Sequence, residues 1–304
     1  VTKEELGGWK IQGQNGTVDN VVDSEADAFE AARRFLSYMP PSVHDLPERT
    51  PPSDDPQRKE EFLLSIVPTD GKTPYKPRKI IEATVDRHSF FEIGHDWGRG
   101  MVCGLARIDG HAVGILAGDP FFLDGAWTAD VCDKVTRHMD LCSMFHLPVI
   151  HLVDCPGFAV GVKAETAGVT RAGVRAMTAI YQANVPVCSV VIRKAYGLAG
   201  SAMMNQSKTK WRYCWPSGDW GSLPMAGGIE AAFRKELAEA EDPDALKDQL
   251  YRKFDAIRSP FRTAESFLAE EIIDPRDTRP LLVDFVHHAV RVIDAGEFRH
   301  GYRP

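Results

Sequence analysis

Two apolar runs without polar alternation, Val149–Val153 and Pro186–Ile192, read as strands buried on both faces. Each gives way to glycine. The first is followed by Asp154-Cys155-Pro156-Gly157-Phe158-Ala159-Val160-Gly161, the second by Arg193-Lys194-Ala195-Tyr196-Gly197-Leu198-Ala199-Gly200-Ser201. Upstream, Phe90–Ile93 leads to Met101–Ile108, an Asp109-Gly110 turn and Ala112–Ala117, which is a hairpin signal. A helix capped by Thr128 places Val131, Val135 and Cys142 on one face, and a second runs from about Gly168 to Ala183. Beyond Trp215 the periodicity is mostly helical: Ile229, Phe233 and Leu237 form one stripe, and Leu246, Leu250 and Phe254 form another after Asp242-Pro243. A last helix, capped by Thr278, turns Leu282, Phe285, Val286 and Ala289 inward. The strand-strand-helix recurrence predicts an α/β fold. A ββα spiral and a doubly wound sheet both fit it.

The two ends follow different rules. In residues 1–40, Ser24 caps a helix whose apolar stripe runs through Phe29 and Leu36 toward Tyr38, with no partner evident in the sequence. Nine prolines from Pro40 to Pro77 then make 41–76 an extended linker. It is interrupted by Phe62–Val67, where Phe62, Leu63, Leu64 and Ile66 call for burial. Residues 77–304 form the main domain, with Glu297–Pro304 as a solvated tail.

At 304 residues with 43% hydrophobic positions, the chain has enough apolar material for one large core or two smaller ones. The formal net charge of -7, with no basic run, argues against nucleic acid as the main partner. No apolar run reaches the length of a membrane span. Six separated cysteines without a CxxC pair read as reduced thiols of a cytosol-like compartment. His287-His288 point to different faces of one helix, and HExxH, P-loop and G-x-S-x-G patterns are absent, so no metal site is expected.

Gly197, Ala199 and Gly200 carry little or no side chain, so a ligand can meet the main chain there. A helix starting near Gly200 would add N–H groups at its positive end, the elements of an oxyanion hole. From this stretch alone, a tight strand-to-helix turn whose small residues only permit close packing is the favoured reading. Cys155 beside Asp154 suggests a nucleophile, but a buried thiol next to a carboxylate has its pKa raised, which argues against that role. Trp211, Trp215 and Trp220, set among proline and glycine, read as packing rather than a base-stacking platform.

Taken together, Val102–Gly118, Thr128–Asp140, Val153–Gly161, Val185–Met204, Trp215–Ala231, Arg262–Glu265 and Ile273–Arg279 resemble, in that order, the carboxyltransferase (β) subunits of biotin-dependent acyl-CoA carboxylases, of the crotonase superfamily. The resemblance implies a crotonase-like ββα superhelix with flanking helices. Residues 1–40 would be the C-terminal remnant of an N-terminal, CoA-side domain, and 77–304 the C-terminal, biotin-side domain. It implies carboxyl transfer from biotin on a partner carrier domain to the α carbon of an acyl-CoA. A decarboxylase or transcarboxylase subunit and a non-catalytic assembly member remain alternatives. By the same resemblance, the backbone amides of Leu198 and Ala199 form the oxyanion hole, Gly157, Phe158 and Gly197 line the biotin cavity with Ala199, and Ser201 faces the acyl pocket. Arg193 and Lys194 are either helpers or structural pairs. Implied partners are a biotin carboxylase/biotin carrier α subunit, the N-terminal carboxyltransferase half and further copies in a hexamer. The implied location is the cytoplasm, or the mitochondrial matrix in a eukaryote.

Overall fold

The computed structural model describes residues 1–204, 210–221 and 225–304. Three helices come first: α1 (Lys3–Gly7), α2 (Trp9–Gln12) and α3 (Glu25–Leu36). Then follow α4 (Pro77–Thr84), β1 (Phe91–Ile93), β2 (Met101–Ile108), β3 (His111–Gly118), α5 (Ala129–Met144) and β4 (Val149–Cys155). Next are α6 (Val162–Thr166), α7 (Val169–Gln182), β5 (Val187–Tyr196), α8 (Gly197–Met204), β6 (Lys210–Cys214) and β7 (Asp219–Gly221). The chain closes with α9 (Met225–Ala232), α10 (Arg234–Glu239), α11 (Pro243–Arg258), α12 (Pro260–Glu265), β8 (Glu271–Ile272) and α13 (Thr278–Ala289). Part of the Trp215–Ala231 segment, residues 222–224, lies outside the described residues.

The hairpin forms as its turn residues dictate. β2 and β3 pair antiparallel from Met101↔Gly118 to Ile108↔His111, with Asp109 and Gly110 both at positive φ between them. β1 adds antiparallel to β2, while β4, β5, β6 and β8 continue from β3 in parallel, and β7 pairs with the far end of β5. Every residue of β4 and β5 is buried, as expected for strands covered on both faces. On one face Val149, Val153, Val187 and Val191 meet Val131, Val135 and Met139 of α5 and Ala176 and Ala179 of α7. On the other, Ile150, Leu152, Cys188 and Val190 share a core with Ile80 and Ile81 of α4 and Leu282, Phe285 and Val286 of α13. Each large side chain so buried contributes roughly 1.5–3 kcal/mol.

Several expectations change at the periphery. Ser24 caps α3 through a bond from the Asp27 N–H, but Phe29 and Leu36 face outward and it is Phe35 and Tyr38 that pack on Phe91. Of the four residues expected to be buried only Leu63 is, while Phe62 and Leu64 are exposed and Ile66 is half-buried. The one helical piece there is a 3₁₀ turn at Glu61–Leu64. Hydrogen bonds fasten this segment to the domain, from Thr50 N–H to Gly110 O at 3.1 Å and from Arg58 Nη2 to Val85 O at 2.7 Å. Thr278 is the first residue of α13 rather than its cap. Its hydroxyl donates to Pro275 O and accepts from Trp215 Nε1, and Asp277 takes the cap position without a side-chain bond. In the tail, Arg303 is held by Asp140 instead of water.

Candidate active site

β5 continues past Ile192 to Tyr196, and the reason lies 39 residues upstream. The β4–β5 register shifts between Val153↔Val191 and Cys155↔Ala195, so β5 holds two extra residues opposite Asp154. The Asp154 carboxylate occupies that bulge. It accepts from Arg193 Nε at 3.1 Å and from the Lys194 N–H at 3.1 Å, and pairs with Arg193 Nη2 at 3.0 Å. Both side chains are buried. Burial pushes the Asp154 carboxyl up, against the opposing pull of Arg193 and the Lys194 N–H. Thr73 O accepts from Arg193 Nη1 at 3.0 Å and the Tyr75 ring lies 5.0 Å from the guanidinium, so the linker segment roofs the pair. Lys194 Nζ bonds to Asp124, a half-exposed residue at φ +58 that carried no warning in the sequence. Arg193 and Lys194 are therefore structural pairs.

The two glycine turns lie side by side. A Cβ on Gly157, at φ +118, would come 3.8 Å from Tyr196 O. Gly157 O accepts from the Trp127 N–H at 3.0 Å and the Ala159 N–H donates to Trp127 O at 2.9 Å, which fixes this loop. The Phe158 ring stands edge-on to Trp127 at 5.9 Å and over Gly173, where a Cβ would be 2.7 Å away. At the other turn Gly197 adopts φ +60, and α8 begins at once. Gly200 then presses on the strand: a Cβ there would sit 2.4 Å from the Ala195 carbonyl carbon. Any other residue would push α8 off β5. Ala199 is fully buried, whereas Leu198 is 69% exposed and Ser201 is exposed.

Leu198 and Ala199 fall in the first turn of α8, where N–H groups have no intrahelical acceptor and the helix dipole is positive. Leu198 thus carries a first-turn N–H, and its side chain is turned to solvent. Cavities of about 830, 700 and 540 Å³ lie elsewhere, the largest lined by Arg34, Arg58, Phe62, Lys79 and Phe90. The surroundings of Cys155 weigh against a nucleophilic role. Burial pushes its thiol up to about 12, with Gly157 N–H at 3.4 Å from the sulfur. All six cysteines are buried and unpaired. No helix among the described residues is long and apolar enough to cross a membrane.

The mixed sheet with helices on both faces and two glycine turns at its strand ends fits a crotonase-like fold, and solved structures agree. Transcarboxylase 12S, with methylmalonyl-CoA and methylmalonic acid bound, superposes with a TM-score of 0.91 at 30% identity, over 100% of this chain and 59% of that one. A single-chain, multi-domain long-chain acyl-CoA carboxylase gives 0.77 at 28% identity, over 95% of this chain and 28% of that one. The family model for the carboxyl transferase domain matches residues 1–291, and the chain belongs to that family. It is 33% identical to the propionyl-CoA carboxylase carboxyltransferase subunit of Haloferax mediterranei, over 93% of this chain and 55% of the relative. It is also 33% identical to the methylmalonyl-CoA carboxyltransferase 12S subunit of Propionibacterium freudenreichii subsp. shermanii, over 92% and 54%. The α subunit of methylmalonyl-CoA decarboxylase from Veillonella parvula is 30% identical, over 93% and 55%. The chain spans about half the length of these curated relatives.

Proposed function

We propose that this chain is the biotin-side half of the carboxyltransferase component of a biotin-dependent acyl-CoA carboxylase, transferring a carboxyl group to the α carbon of an acyl-CoA. The observation that carries this reading is the start of α8, where the Leu198 and Ala199 N–H groups follow a positive-φ glycine beside the Gly157 turn. A flat bicyclic urea fits such a place, because Gly157 and Gly197 present no side chain and Leu198 turns its own away. Biotin, borne on a partner carrier domain, would supply the carboxyl group and the base. The protein's part is electrostatic. The Leu198 and Ala199 amides would hold the ureido oxygen and offset negative charge there, with no reorganisation at the moment of reaction. Gly157 and Phe158 would line the biotin side of a cavity that a second domain closes, and Ser201 would bound the space for the acyl group.

On this reading the cavity is completed by a CoA-side domain, whose C-terminal end residues 1–40 would form. A hexamer and a biotin carboxylase/biotin carrier subunit are the assembly this reading requires. The six buried thiols support a reducing compartment. A decarboxylase or transcarboxylase role is the second reading, favoured by the matches to those two classes. The biotinylated protein that copurifies decides between them: an ATP-using biotin carboxylase means carboxylation.

The test separates the amide from the side chain. Proline is tolerated in the first turn of a helix, so Leu198→Pro removes the donor with little damage, while Leu198→Ala keeps it. In the assembled enzyme, Leu198→Pro should lower carboxyl transfer from free carboxybiotin to acyl-CoA by about 10²–10³-fold, the effect of losing one oxyanion donor. Leu198→Ala should leave the rate near that of the parent. Full activity in a folded Leu198→Pro enzyme would remove the donor from the mechanism.

A further inference from the structure

The turn at Gly197 is held from a second direction that the family resemblance does not address. Tyr196, the last residue of β5, directly precedes it. β7 runs parallel alongside, pairing Lys194↔Asp219, Ala195↔Trp220 and Tyr196↔Gly221. The Asp219 carboxylate accepts from Arg258 Nε at 2.6 Å, and also from the Tyr196 hydroxyl and Arg258 Nη2. Arg258 Nη2 bonds to the Tyr196 oxygen as well, and its guanidinium carbon lies 5.1 Å from the phenol ring centre. Arg258 is the last residue of α11, and its side chain is only 14% exposed. Burial, reinforced by Asp219, pushes the Tyr196 phenol well up, so the ring stays neutral and donates. Three residues from β5, β7 and α11 thus close one cluster on the residue ahead of the turn. Such a network positions main chain more firmly than it adds net stability, since each bond is worth little on balance while misplacement of a donor is expensive in rate.

We propose that Tyr196, Asp219 and Arg258 are positioning residues that clamp the carboxyl end of β5, fix the Gly197–Ala199 amides, and make the site depend on the seating of α11. The inference rests on the proposed role of those amides. Tyr196→Phe and Arg258→Met test it in the assembled enzyme. Each should lower kcat by about 10- to 100-fold, with KM for acyl-CoA within about twofold, because the donors are displaced rather than removed from substrate binding. The double variant should be no slower than the worse single one, as for residues acting as a unit. Amide exchange at residues 197–200 should quicken by about tenfold in both single variants while α13 is unchanged, a readout that needs no activity. Unchanged exchange at 197–200 in folded Tyr196→Phe, which deletes a single oxygen, would overturn the clamp, and so would multiplying losses in the double variant. If Leu198→Pro kept full rate while exchange quickened as expected, the donor assignment would fail and the clamp would stand.

Discussion

At the amino end of the parallel strands, the Asp86 carboxylate accepts from Arg279 at 2.8 Å and from the N–H groups of Asp109 and Gly110, the hairpin turn, at 3.0 and 2.9 Å. At the carboxyl end, Asp154 does the same work for the bulge in β5, with Arg193 and the Lys194 N–H. Both pairs are almost wholly buried. The ends differ in what is left over. Around Asp86 the turn N–H groups are consumed by the carboxylate, and Arg279 also donates to Asp55 O and Thr84 O. Around Asp154 the chain goes on into a positive-φ glycine and a helix start, which supplies donors beyond those the pair uses. A buried ion pair therefore does not mark the site. On the proposed reading, surplus main-chain N–H next to one does.

The largest expected effects sharpen that contrast. Arg279→Met and Arg193→Met each strand a buried carboxylate, and each should cost about 3–5 kcal/mol in urea unfolding. They should part company in function. Per folded molecule, Arg193→Met should also slow transfer, because the bulge beneath the turn loosens, whereas Arg279→Met should not. An equal loss of rate in the Arg279 variant would abolish the distinction between the two ends.

A smaller effect is shared by both ends. His138 of α5 and His151 of β4 lie in the core between them, and burial pushes both imidazoles down to about 3. The unfolded value is near 6.5, so the folded value is the lower one and the unfolded chain takes up protons first. The stability is therefore fully present above about pH 6.5 and is lost as pH falls toward 3. At pH 5 each ring should cost about 2 kcal/mol, from about 1.5 pH units at roughly 1.4 kcal/mol each. Urea midpoints at pH 7 and pH 5 measure it, and His151→Leu should halve the difference. If acid loosened only the amino end, with the Gly197 turn still protected from exchange, the two ends would not share this core.

What was readable in the sequence follows this same division between local and distant causes. The Asp109-Gly110 hairpin, the Thr128 cap and the two glycine-bearing strand ends depend on neighbours in the chain, and all stand where their residues place them. The continuation of β5 through Arg193 and Lys194 was hidden, because charged residues look like the end of a buried strand until Asp154 and Asp124 are seen opposite them. Lys134 is hidden in the same way. On α5 its ammonium donates to the Gly94, Trp97 and Met101 carbonyls at 2.8–2.9 Å and ties the loop before β2 to the helix. The Tyr196–Asp219–Arg258 cluster joins residues up to 62 apart that no motif links.

The smallest effect concerns the amino end alone and comes from the tail. Arg303 donates to both Asp140 oxygens at 2.7 Å and to Gln182 at 3.0 Å, joining the last turns of α5 and α7. The side chain is 7% exposed but Asp140 is 32% exposed, so solvent screens the pair and its bidentate geometry is what keeps it worth anything. Arg303→Ala should cost about 1 kcal/mol. Because α5 runs back toward the start of β4, this loss belongs to the end opposite the Gly197 turn, and the transfer rate should not move. A fall in rate comparable to that of Arg193→Met would mean that disturbance at one end reaches the other through α7, whose Gly173 supports the Phe158 ring, and the two ends would then have to be treated as one coupled unit.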